Sequence, residues 1–128
     1  MSVKYNFKTK HNSPESDMQI AFFKWLEYQY PEIRKVTTAT GHGGSRHLLE
    51  AIKLKKEGLT AGFPDIACYM PKSGYAGFFM EMKSKNGRLT ETQKNKIDLL
   101  VKNGYKVVVA YSFEEAVKVF MNYVEEKC

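Results

Sequence analysis

Two cysteines in 128 residues, Cys68 inside an apolar run and Cys128 at the C-terminus, are too few for a disulfide-stapled scaffold. Neither has a second ligand at metal-binding spacing, and a bridge between them would tie a central strand to a terminus, so both are expected as reduced thiols. No apolar run approaches the roughly 20 residues that a membrane span needs. The polar start Met1-Ser2-Val3-Lys4-Tyr5 also lacks a signal-peptide core, so the expectation is a protein with no membrane partner that stays in the cytoplasm. Gly41-His42-Gly43-Gly44-Ser45 is glycine-rich but lacks the Lys-Ser/Thr ending of a phosphate-binding loop, which argues against a nucleotide cofactor. His42 and His47 have no carboxylate at metal-pair spacing and read as loop residues, with His42 a weak candidate for a nucleic-acid contact. Acidic residues are the remaining shortage: 14 Asp and Glu against 20 Lys and Arg leave a net charge of +6, which points to a polyanionic partner.

What is present suits one folded domain over residues 1–128, because 43% of the residues are hydrophobic and Tyr and Phe number eight each. There is no internal repeat, low-complexity tract or linker. Residues 1–12 carry Lys4, Lys8, Lys10 and His11 without periodicity, and read either as a partly ordered tail or as a basic arm across DNA or a second subunit. Ser13-Pro14 predicts a helix start, a cap followed by a proline whose missing N–H costs nothing, and Pro31 its end. Residues 35–40 are β-branched and predict a strand, and residues 45–56 a helix capped by Ser45 and stopped at Gly58. Thr90-Glu91-Thr92-Gln93 and Ser112-Phe113-Glu114-Glu115 are capping-box patterns opening two further helices. Between them, residues 105–111 form a run with a continuous apolar centre, suited to a sheet interior. The order αβαββαβα predicts an α/β protein with a mixed sheet flanked by helices.

The chemistry is concentrated in residues 62–83. Two short runs rich in aromatic and apolar residues, separated by the Pro/Gly-rich break at 71–77, predict adjacent strands of a buried hairpin. Each carries a charge that a buried strand should avoid: Asp65 in the first, Glu81 and Lys83 in the second. Side chains alternate along a strand, so Phe79, Glu81 and Lys83 share one face and Phe78, Met80 and Met82 take the other. A hairpin brings Asp65 towards that charged face. Burying carboxylates is costly unless they pair or hold a cation, so two of them converging with a lysine alongside suit a hard divalent ion, Mg²⁺ most naturally, and phosphodiester hydrolysis. Spacing alone is weak evidence, since Glu125-Glu126-Lys127 repeats it in a charged helix end. Downstream, Lys85-Asn86-Gly87-Arg88 is a basic turn placed for phosphate-backbone contacts. Arg46 and Lys53 lie on or ahead of the 45–56 helix, on a mixed-charge face that either is simply solvated or meets DNA. Glu15 and Gln19 share a face of the first helix, where a glutamate also suits the helix dipole.

Pro64-Asp65 followed by Glu81-Met82-Lys83 resembles the PD-(D/E)xK nuclease superfamily. The longer pattern Gly62-Phe63-Pro64-Asp65, Glu81-x-Lys83, Gly87-Arg88-Leu89-Thr90, Gln93 and Asn103-Gly104-Tyr105 resembles its VRR-NUC branch, the virus-type replication and repair nucleases. That resemblance implies a restriction-endonuclease-like core, dependence on Mg²⁺ with Mn²⁺ as substitute, and cleavage of structured DNA. It implies that Asp65, Glu81 and the main-chain carbonyl of Met82 hold the metal with Lys83 beside the attacking water. It also implies that Glu15 turns towards the metal with Gln19 one turn later, and that Arg46 meets phosphate. Gln93 has a complete structural explanation as a capping residue, and the family pattern implies that it also reaches Lys83 and the scissile phosphate. Stand-alone members imply a homodimer acting on branched DNA such as Holliday junctions, in the host cytoplasm if the source is viral. The alternatives are a nuclease for flap, nicked or plain duplex DNA, and a non-catalytic nucleic-acid-binding module. The module is disfavoured because Asp65, Glu81 and Lys83 are all present.

Overall fold

The computed structural model describes residues 13–41 and 48–127. The basic N-terminal segment, His42, Ser45, Arg46, His47 and Cys128 lie outside the described residues. Helix α1 (Pro14–Gln29) starts as its sequence dictates: the Ser13 hydroxyl accepts the Ser16 N–H at 3.1 Å, proline follows, and Glu15 and Asp17 occupy the first turn. Phe22 and Leu26, one turn apart, are its buried face. Pro31 ends that helix but also opens another. Its preset φ and absent donor suit the first helical position of α2 (Pro31–Arg34), a short helix that the pattern αβαββαβα lacks. Lys35 and Val36 are consumed in closing α2, through main-chain bonds to Glu32 and Ile33, so strand β1 is only Thr37–Ala39.

Helix α3 (Leu48–Lys56) ends before Gly58, which takes φ +108°, but it buries none of its residues: Leu48, Leu49 and Ile52 are all exposed. Strands β2 (Ile66–Cys68) and β3 (Phe78–Met82) form the expected antiparallel hairpin, with Ile66 opposite Met80 and Cys68 opposite Phe78. Helix α4 (Glu91–Lys102) is the crossover that lets β4 (Lys106–Ala110) run parallel to β3. The sheet order is β1-β2-β3-β4. β4 is therefore an edge rather than an interior strand, and only Ala110 of its five residues is fully buried. Its apolar run is explained by the helices packed on its two faces. Helix α5 (Phe113–Val124) opens on Ser112, whose hydroxyl accepts the Glu115 N–H at 3.1 Å. No helix among the described residues is long and apolar enough to cross a membrane.

The alternation along β3 sorts the core into two layers. Phe78, Met80 and Met82 join Phe22, Leu26, Phe120 and Tyr123 on the α1/α5 side. Phe79 joins Ala67 and Leu100 on the α4 side. Phe120 touches the rings of Phe22, Trp25, Tyr30 and Phe78, tying α1, α5 and the sheet together. Tyr123 does the same with polar groups: its hydroxyl donates to the Met70 carbonyl and accepts the Lys72 N–H, which pins the loop between β2 and β3 to α5. Tyr123→Phe leaves both partners without that bond and is expected to cost about 1–3 kcal/mol, measured by urea unfolding. A change inside experimental error would mean that water replaces the hydroxyl.

Candidate active site

Asp65 stands one residue ahead of β2, and extending the Ile66–Met80 register by one pair puts it directly across from Glu81. The approach is held from both sides. Thr40 donates its N–H to the Asp65 carbonyl at 2.9 Å and its hydroxyl to the Pro64 carbonyl at 2.8 Å, clamping Pro64-Asp65 onto β1. Gly62, at φ +94°, lies so close to the first turn of α4 that a Cβ there would sit 2.8 Å from the Thr92 carbonyl oxygen. Only glycine tolerates both the dihedral and the contact. The Asp65 carboxylate then accepts the Met82 N–H at 2.8 Å.

Glu81 is 3% exposed, a carboxyl group inside the sheet. Burial pushes its pKa up to about 8 from an ordinary 4.5, and the neighbouring Asp65 adds to the rise; the Lys83 charge acts in the opposite sense. The register sets the two acidic residues opposite each other at this end of the strand pair, and a second negative charge facing a buried carboxyl group is costly without a compensating charge. One Glu81 oxygen, Oε1, accepts from the Gln93 side-chain amide at 3.2 Å; the other, Oε2, is buried with no partner. Gln93 is also the capping residue: its Oε1 accepts the Thr90 N–H at 2.9 Å while the Thr90 hydroxyl accepts the Gln93 N–H. The capping box thus fixes Gln93 for a contact with Glu81, where the family pattern points to Lys83.

Glu15 reaches the exit of β3, where its carboxylate accepts the Ser84 N–H at 3.3 Å. No group of three His, Cys, Asp or Glu side chains placed to hold a metal occurs among the described residues. The carboxylate pair is therefore Asp65 and Glu81, with Glu15 bound to the main chain beyond Lys83. Gln19 lines a groove of about 430 Å³ between α1 and β1, together with Lys24 and Arg34. Arg34 lies over the Phe23 ring at 4.7 Å and donates to the Thr37 carbonyl at 2.8 Å, a placement that nothing in its sequence neighbourhood signals. Lys85 and Arg88 are exposed in the turn after β3, and Lys53 is exposed on α3. Arg46 lies outside the described residues. The duplicate spacing at Glu125 and Lys127 is an exposed ion pair at 3.6 Å.

The orphan Glu81 oxygen and the facing Asp65 carboxylate are hard oxygen donors, the type a divalent cation takes as ligands. The VRR-NUC domain profile matches residues 7–114. A solved structure described as a VRR_NUC domain protein is 27% identical, covers 89% of this chain and 90% of its own, and superimposes with a TM-score of 0.75. No curated protein matches the chain. With an acid pair on a mixed four-stranded sheet and a profile match spanning most of its length, this chain carries a nuclease-type fold and belongs to the VRR-NUC domain family.

Proposed function

We propose that the protein is a Mg²⁺-dependent DNA endonuclease that accepts Mn²⁺ in place of Mg²⁺. The observation that carries this reading is the partnerless, buried Glu81 oxygen beside Asp65: a stable fold has no use for it, and a cation does. Asp65, Glu81 and the Met82 carbonyl would hold the ion, with Glu15 a further candidate close to the exit of β3. A bound divalent cation supplies charge neutralisation at the phosphodiester and acidifies water. Lys83 orients the attacking water and counters charge on the phosphate. Gln93 holds Glu81 in place through a side chain that its own helix cap has already ordered. Lys85 and Arg88, exposed beyond the strand end, contact the DNA backbone, and Arg46, Lys53 and Gln19 extend that contact.

A single domain of this size has little surface for reading base sequence, so the selectivity proposed is for DNA structure. A homodimer would set two such sites on opposite strands of a branched substrate such as a Holliday junction. The test is a panel of labelled four-way junctions, flaps, nicked and plain duplexes, incubated with Mg²⁺, Mn²⁺, Ca²⁺ or EDTA. Cutting of branched DNA in Mg²⁺ and Mn²⁺ that ceases in EDTA is the expected result. Cleavage that persists in EDTA, or its absence in every metal, would overturn the reading. Sedimentation that finds only an active monomer would remove the dimer.

A further inference from the structure

Beside the acid pair, on the same face of the sheet, lies a cavity of about 360 Å³, within the usual range for small-ligand sites. Three aromatic rings, Phe63, Tyr69 and Phe79, and three hydroxyls, Thr38, Thr40 and Thr60, line it, and no charged side chain does. The register explains the hollow: in the row Thr38–Ala67–Phe79 the middle residue contributes only a methyl group. The next row along the strands is Thr40–Asp65–Glu81, about 7 Å away at two residues' rise. We infer that this cavity receives one unpaired nucleobase of the strand whose phosphate lies at the acid pair.

The chemistry of the walls selects that occupant. A neutral, aromatic-lined hollow refuses a phosphate or a sugar-phosphate chain and suits a flat ring with polar edges. The hydroxyl hydrogens of Thr38, Thr40 and Thr60 are all donated to main-chain carbonyls, of Ala39, Pro64 and Gly58. Their oxygens therefore act towards a ligand as acceptors, which matches the N–H groups on the pairing edge of a base. Tyr69 is 62% exposed at the rim, a large apolar ring that the core does not use, and serves as the stacking platform. A base reaches the cavity only when it leaves the duplex stack, which is easiest where it has no partner. Selectivity for DNA structure then has a physical origin within a single subunit.

The inference rests on the nuclease reading for its substrate, and binding separates the two. Fluorescence anisotropy in EDTA compares three duplexes of one sequence: fully paired, with a one-nucleotide bulge, and with the same bulge made abasic. The native protein is expected to bind the base-bearing bulge about tenfold more tightly than the abasic one, the factor a stacked base supplies. Tyr69→Ala removes that preference, Tyr69→Phe restores it, and neither alters affinity for the paired duplex. Equal binding of the two bulges by the native protein, or discrimination that survives in Tyr69→Ala, would overturn the inference. Failure to cut any of the three in Mg²⁺ would count against the nuclease alone and leave base capture in the cavity intact.

Discussion

Glu81→Gln is expected to stop cleavage and stabilise the fold at once. If the proposed cation binds there, losing the carboxylate removes one of its ligands, and activity is expected to fall on the order of 10³-fold, the factor that several kcal/mol of transition-state charge stabilisation represents. Stability moves the other way. Between pH 4.5 and about 8 the native protein keeps the Glu81 proton while the unfolded chain has released it, so this group makes the metal-free protein less stable as pH rises through that window. The amide is neutral at every pH, so it carries no such penalty, and it still accepts from Gln93 through its oxygen. At pH 8 the variant should gain up to roughly 4 kcal/mol, on the order of ten degrees in Tm, and at pH 4 almost nothing. Thermal unfolding of both proteins in EDTA across that range measures it. A variant less stable than the native protein at pH 8 would mean that Glu81 holds the fold together rather than an ion.

Lys83→Ala separates positioning from metal binding. Cleavage is expected to fall about 10²–10³-fold, as when one preorganised charge-stabilising group is removed, while Mg²⁺ still binds. The residue leaves a second trace in the pH dependence. Its charge holds the Glu81 pKa down, so without it Glu81 keeps its proton to still higher pH. Mg²⁺ competes with that proton, and the pH midpoint of Mg²⁺ binding should therefore move upward in Lys83→Ala. Isothermal titration across pH reads the midpoint and single-turnover cleavage the rate. An unshifted midpoint with full activity would remove Lys83 from the site. Glu81→Gln, by contrast, should abolish binding at every pH, so the two variants differ in titration even though both are slow on DNA.

Helix caps are legible in the sequence because a cap is a local event. Ser13, Thr90 and Ser112 each bond a main-chain N–H three residues on, and nothing elsewhere in the chain is needed to make that contact. The two faces of β3 are legible for a similar reason, since alternation is a property of the strand itself. Pro31 stops α1 as its position dictates, but its second role at the start of α2 depends on how the chain turns after Tyr30. The continuous apolar run of β4 suggests an interior strand because covered faces look alike whether the strand is central or at an edge. Leu48 and Ile52 share an apolar stripe on α3, and periodicity alone does not say whether a surface exists to receive one.

Residue types and spacing by themselves determined that Asp65, Glu81 and Lys83 would stand at or beside the ends of two neighbouring strands, next to an aromatic core. Both facts follow from the two-residue period of a strand and the turn chemistry between the two runs. Only the tertiary structure decided which groups meet there. It placed Gln93 on Glu81, sent Glu15 to Ser84, left one Glu81 oxygen without a partner and opened a cavity between Thr38, Phe63 and Phe79. Those outcomes depend on contacts between residues 12 to 69 positions apart, set by how helices seat against the sheet, and no local pattern encodes that distance.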